Sequence, residues 1–195
     1  MSWSLLLASF MGAAGAPTLS PDETVSLRAG AAVVRVEPDR SEKEAAGTVF
    51  GAVEIEAAPD RIWAVMTDCA RAPQFVPHLE SCEILDASAD GRSDLRRHVI
   101  DYGFPLPKIS IVFRSDYDAP HVIAFERAGG DLRIMEGVWR IEAGDRPGVA
   151  RLFYDARLAI GLPVPRGLIR RNLRRDTPRI LLAVKHEAES AGGGR

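Results

Sequence analysis

His98, Asp101 and Tyr102 are the side chains of this sequence best suited to moving a proton: an imidazole, a carboxylate and a phenol on one short segment. From Leu95 to Tyr102 the chain alternates like a strand, so one of two sets faces inward, either Arg97, Val99 and Asp101 or Arg96, His98, Ile100 and Tyr102. A polar group directed into an apolar interior here can fix the carbonyl or headgroup of a ligand, or serve as acid or base. The competing reading leaves His98 and Tyr102 on the surface or satisfied within the structure. Elsewhere the catalytic repertoire is thin. The four histidines, His78, His98, His121 and His186, stand far apart, and none has a histidine or cysteine at helix-face spacing suited to a metal. No G-x-S-x-G elbow, phosphate-cradling glycine loop or H-E-x-x-H motif occurs. Asp86-Ala-Ser-Ala-Asp-Gly91 opens like a calcium loop, but its twelfth position is Arg97 where a bidentate glutamate is required, so a hairpin turn is expected. No catalytic residue, metal or cofactor is assigned.

The 195 residues suffice for one globular domain with a sizeable core. Charges nearly cancel, 25 basic against 27 acidic, and no aromatic residues interleave with the arginines of the last helical segment, which argues against a nucleic-acid partner. Cys69 and Cys82 are the two cysteines. They can pair if the protein is exported, or equally serve as small core hydrophobes.

Residues 1–16 form an apolar run ending in small residues, Ala13-Ala-Gly-Ala16, and read as a secretory leader with cleavage after Ala14. No Lys or Arg precedes the run, and it is shorter than the roughly 20 residues a membrane span needs. The expectation is export, with a periplasmic location. The alternatives are a membrane-proximal anchor and a buried N-terminal segment in a cytoplasmic protein. Residues 17–46 read as a polar N-terminal extension with one β-like patch, Ala31 to Val36. The domain proper runs over 47–190, and the glycine-rich residues 191–195 read as a disordered tail.

Within the domain, Thr48 to Ala57 alternates as a strand with one wet face, and Pro59 with Asp60 opens a helix burying Ile62, Trp63, Val65 and Met66. A second short helix follows over Asp68 to Pro77. Six strand candidates then succeed one another from Glu80 to Ile160, separated by turn chemistry such as Ala89-Asp-Gly91 and Gly129-Gly-Asp131, which implies an antiparallel meander. From Pro165 to about Ser190 the period becomes helical, and Pro178 is expected to kink that helix.

Four stretches carry a family resemblance: Val53-Glu-Ile-Glu-Ala-Ala-Pro-Asp-Arg-Ile-Trp-Ala-Val-Met-Thr-Asp68, Pro73-Gln-Phe-Val-Pro77, Met135-Glu-Gly-Val-Trp-Arg-Ile141 and Gly167-Leu-Ile-Arg-Arg-Asn-Leu-Arg-Arg175. In these residues and in its element order the chain resembles the START-like, or SRPBCC, superfamily, and within it the polyketide cyclase/dehydrase and coenzyme Q-binding (Coq10-like) group. The resemblance spans roughly Gly47 to Glu189. It implies an α+β helix-grip fold (START-like, as in Bet v 1), a curved antiparallel sheet of about seven strands wrapped around a long C-terminal helix. Its members include lipid carriers, quinone binders, hormone receptors and cyclases, so it specifies no substrate.

On that fold, alternation directs Val53, Ile55, Ile109, Ile111, Phe113, Ile123, Phe125, Met135, Trp139, Ile141, Leu152 and Tyr154 to the concave face. The last helix adds Leu173, Ile180, Leu181 and Val184. The candidate ligand-binding residues are Phe113, Phe125, Met135, Trp139, Tyr154, Leu173, Ile180 and Leu181, with His98 and Tyr102 as polar members. The expected partner is a hydrophobic small molecule, a lipid or isoprenoid quinone, bound without covalent chemistry. The alternatives are a cyclase or dehydratase using the same cavity, and a protein-interaction module. Gly103-Phe-Pro-Leu-Pro107 and Gly161-Leu-Pro-Val-Pro165 are proline-stiffened loops that the resembled fold places at the cavity mouth, as a gate or membrane-touching lip. The basic face of the last helix, Arg166, Arg170, Arg171, Arg174, Arg175, Arg179 and Lys185, offers peripheral contact with anionic membrane, or simply a solvated outer face.

Overall fold

The computed structural model describes residues 18–38, 46–160 and 166–190. The apolar leader, the tail and the loop 161–165 lie outside the described residues. Chain order is α1 (Pro21–Arg28), β1 (Val33–Pro38), β2 (Ala46–Ile55), α2 (Pro59–Thr67), α3 (Ala72–Phe75), β3 (Leu79–Ala87), β4 (Ser93–Ile100), β5 (Ile109–Asp118), β6 (Val122–Gly130), β7 (Leu132–Ala143), β8 (Ala150–Ile160) and α4 (Arg166–Ser190). The strands form one antiparallel sheet in the order β1-β2-β8-β7-β6-β5-β4-β3, a meander whose last strand returns beside β2. This is the expected helix-grip fold, with β1 as an eighth strand.

The segment before β2 contributes more than the β-like patch read from sequence. Ser20 accepts a hydrogen bond from the Glu23 backbone while the Glu23 carboxylate accepts one from the Ser20 backbone, a reciprocal cap that starts α1. α1 then sets Leu27 against Val33, Phe50, Ala52 and Phe153, on the face of the sheet away from α4. The expected hairpin turn replaces any calcium loop: Asp90 accepts from the Ser88 hydroxyl and the Arg92 backbone, and Gly91 takes φ +68°.

α4 runs unbroken through Pro178 and packs on β1, β2, α2 and α3. Its seat on β2 needs Gly51, where an added Cβ would come within 2.9 Å of Leu181. Leu181, Val184 and Ala188 join Val53, Ile55, Ile62, Val65, Ile141, Ala150 and Leu152 in a solid core. One helix is about 10 Å wide and covers only two strands at their spacing of about 4.8 Å. The far strands, β4 to β7, therefore curve over a space the helix does not fill.

Candidate functional site

That space is a cavity of about 340 Å³. Its floor is the inner face of the far strands, where Ile111, Phe113, Phe125, Leu132 and Ala156 form a second apolar cluster with Met135, Trp139 and Tyr154 packed on it. Tyr154 stacks between Trp139 at 4.1 Å and Phe125 at 6.1 Å between ring centroids, giving the floor a rigid aromatic centre. α4 supplies the roof through Leu168, Leu173, Ile180 and Val184, and the α3 segment closes one side through Ala72, Phe75, Val76 and Pro77.

Of the residues expected to bind a ligand, Phe113, Phe125, Met135, Trp139, Tyr154, Leu173, Ile180, His98 and Tyr102 all line this cavity. Leu181 does not. It is fully buried in the solid core, because one residue beyond Ile180 the helix has turned by about 100° and presents its side chain to Gly51 on β2. The concave stripe divides in the same way: Val53, Ile55, Ile141 and Leu152 pack solidly under α4, whereas Ile109, Ile111 and Ile123 face the cavity.

The choice of face on β4 is resolved. Arg96, His98, Ile100 and, just beyond the strand, Tyr102 point inward. Arg97 pairs outside with Glu83 at 3.0 Å. Asp101, a candidate acid or base, instead accepts from the Gly103 backbone and lies 3.5 Å from Lys108, so it stands outside the cavity.

At one end of the wall sits a polar cluster that binary patterning did not reveal. Arg96 and Asp94 are both buried and bonded, Arg96 Nε donating to both carboxylate oxygens at 2.9 Å. Arg96 Nη2 also donates to the Tyr117 hydroxyl at 2.6 Å and to the Thr67 carbonyl at 3.2 Å, and the Tyr117 hydroxyl donates to Asp94 at 2.6 Å. Burial is the largest influence on Arg96 and opposes its charge, but the hydrogen bonds and charges of Asp94 and Tyr117 together outweigh it and raise the affinity of the guanidinium for its proton. Burial and the bond to Asp94 push the Tyr117 phenol up to about 12. A signal for this cluster did exist: Ser115 and Tyr117 continue the i, i+2 stripe begun by Ile109, Ile111 and Phe113.

At the other end Tyr102 lies against His78, ring centroids 4.7 Å apart, beside the buried Asp176. Burial, then the negative charge of Asp176, pushes the Tyr102 phenol up to about 12. Asp176 is held by Arg175 through two hydrogen bonds of 2.7 and 3.0 Å. Between the two ends His98 stands edge-on to Phe113 at 4.8 Å, and its Nε2 is buried with no hydrogen-bond partner. Burial, and next the positive charge of Arg96, hold the imidazole down at about 4, so it is neutral at physiological pH. Burial likewise raises the Tyr154 phenol. Among the described residues no group of three His, Cys, Asp or Glu side chains is arranged to hold a metal.

The cavity rim is built from exposed chain. Leu106 and Pro107 of the loop after β4 line the opening, and Phe104 in the same loop is 100% exposed. Cys69, after α2, is joined by a disulfide to Cys82 on β3, with Cα atoms 5.4 Å apart. The bridge ties the α3 wall to the edge of the sheet. Closing a loop of this length contributes about 2 to 3 kcal/mol through the unfolded state. Replacing both cysteines by serine is expected to lower stability by that amount in urea unfolding, with hydrogen exchange quickened at residues 72–77 before it quickens in β7 and β8.

Residues 55–185 match the family model described as polyketide cyclase / dehydrase and lipid transport. Among solved structures, the chain is similar to an aromatase/cyclase, Zhui, from a Streptomyces species (22% identity, 76% of this chain and 99% of that one, TM-score 0.65). It is also similar to a STAR-related lipid transfer protein from Xanthomonas axonopodis (18% identity, 81% and 93% of the two chains, TM-score 0.67). A START superfamily protein from Mycobacterium smegmatis is comparable (21% identity, 74% and 98%, TM-score 0.64). At such identities the likeness shows the fold. No curated protein sequence matches the chain. On the family match, which spans more than half of its length, this chain belongs to the polyketide cyclase/dehydrase and lipid transport family.

Proposed function

We propose that this protein binds a hydrophobic small molecule, a lipid or an isoprenoid quinone of the kind expected from its Coq10-like resemblance, and carries it without covalent chemistry. The observation that carries this reading is the cavity itself, aromatic and aliphatic on nearly every side and of the size of known ligand pockets. Burial at about 25 cal/mol per Å² means that a few hundred Å² of apolar ligand surface can drive useful affinity with little help from polar anchors. The fully exposed Phe104 on the rim and the exposed Arg171, Arg174, Arg175 and Arg179 on α4 support contact with an anionic membrane during loading. The disulfide, together with the apolar leader, supports export to an oxidising compartment such as the periplasm.

A second reading, a cyclase or dehydratase, draws on His98 and Tyr102 facing the cavity. Their proton affinities favour carriage. An acid or base works best when it titrates near the operating pH, and these two are displaced to about 4 and about 12.

The test is to purify the protein without added ligand and extract it for mass spectrometry. A lipid-like molecule is expected to copurify at a stoichiometric level, and Met135→Trp, which fills the floor of the cavity, is expected to lose it by at least about tenfold while remaining folded. Absence of any copurifying lipid, with no binding at micromolar concentration, defeats the carrier reading. A bound molecule that changes mass on incubation with the protein favours the enzyme.

A further inference from the structure

The charged side chains at the cavity wall are already engaged. Arg96 is neutralised by Asp94 at 2.8 Å and further held by the Tyr117 hydroxyl. Asp176 is paired with Arg175 on the outer side of α4, and His78 Nε2 lies 3.9 Å from the same carboxylate. Among the described residues that line the cavity, no cation remains unpaired. An anionic headgroup entering this space would leave water without gaining a counter-ion, and an uncompensated buried charge is far more costly than a buried hydrogen-bonding oxygen.

Among the described residues that line the cavity, one buried side-chain polar atom has no hydrogen-bond partner. The His98 ring lies midway along the wall, between the Arg96 cluster and Tyr102, and its Nε2 has no partner. A buried nitrogen without a partner gains a hydrogen bond from any ligand oxygen brought to it, whereas the surrounding Phe113 and Ile111 offer none.

Resting on the reading that the cavity takes hydrophobic molecules, we propose that it selects electrically neutral ones bearing a hydrogen-bonding oxygen, a ketone, quinone or alcohol, anchored at His98, and rejects carboxylates of the same chain length. The neutral imidazole fits this role, because it can donate to a carbonyl or accept from a hydroxyl according to tautomer.

The test uses the full chain at neutral pH and three probes of equal carbon number: methyl octyl ketone, decanol and decanoate, with calorimetry and intrinsic tryptophan fluorescence, to which Trp139 of the cavity floor contributes, as readouts. The ketone and the alcohol are expected to bind at least about tenfold more tightly than decanoate, equivalent to about 1.4 kcal/mol. His98→Phe is expected to cut the ketone's affinity about tenfold, and His98→Gln, which keeps a donor and an acceptor, to restore most of it. Decanoate binding as tightly as the ketone overturns the neutral-ligand proposal and leaves the carrier reading standing. Unchanged ketone affinity in a folded His98→Phe variant overturns the assignment of the anchor. If that variant does not fold, the ratio of ketone to decanoate affinity in the unaltered protein decides. Failure of all three probes to bind overturns the proposal of a neutral ligand anchored at His98, and the copurification experiment decides the carrier reading separately.

Discussion

Arg96→Met is expected to lower the stability of this protein by about 3 to 5 kcal/mol, the range for removing one partner of a buried ion pair. Asp94 would remain buried with one donor, the Tyr117 hydroxyl, and the Thr67 carbonyl would lose the Arg96 Nη2 contact. The loss therefore spreads from β4 to the end of α2. The companion variant distinguishes a buried charge from mere loss of packing. Removing both members, Asp94→Leu with Arg96→Met, eliminates the stranded carboxylate, and the double variant is expected to be more stable than Arg96→Met alone. Urea unfolding of the four proteins completes the cycle, and equal stability of the single and double variants would contradict it.

Acid is expected to destabilise the protein through His98. Its imidazole titrates at about 4 in the folded chain against an ordinary 6.5, so between those values the unfolded chain holds a proton that the folded one refuses. Unfolding then takes up a proton, and stability falls as pH falls. The contribution is fully present above pH 6.5, diminishes from there to about 4, and is constant below that. The displacement corresponds to about 3 kcal/mol over the window. Arg96 and Asp94 are the charged groups acting on the ring, the first lowering and the second raising its affinity for a proton. Because other groups also titrate in this range, the measurement is the difference between the unaltered protein and His98→Phe in urea midpoints at pH 7.5, 6, 5 and 4. The variant is expected to show a shallower acid loss, and parallel curves would refute the assignment.

Much of the cavity floor could be read from the sequence because the far strands are antiparallel with one covered face. Ile109, Ile111, Phe113, Ile123, Phe125 and Trp139 alternate cleanly with exposed or polar neighbours such as Arg114 and Glu126. The same rule was silent on which inward residues would be solvent-free core and which would line a void. That division depends on where α4 lands, and a helical stripe broad enough to contain both Ile180 and Leu181 does not reveal it. The Asp94, Arg96 and Tyr117 cluster escaped because patterning treats an inward polar residue as noise, although their i, i+2 spacing was visible. α1 escaped for the opposite reason. It buries little besides Leu27, leaving Val25 66% exposed, so it has almost no apolar period, and only the Ser20 to Glu23 spacing announced it. The pairing of Cys69 with Cys82 was undecidable from two cysteines alone, since it requires the α2–α3 turn to fold back on β3.

The division between the half of the sheet clamped by α4 and the half that arches free has a consequence for redesign. Substitutions at Ile111, Phe113, Ile123 or Met135 reshape the binding chamber without touching Val53, Ile55, Leu152 or Leu181, which hold the scaffold together. Ligand preference can therefore drift, by evolution or by engineering, through one apolar cluster while the residues of the other stay unchanged, the two meeting at Trp139 and Tyr154.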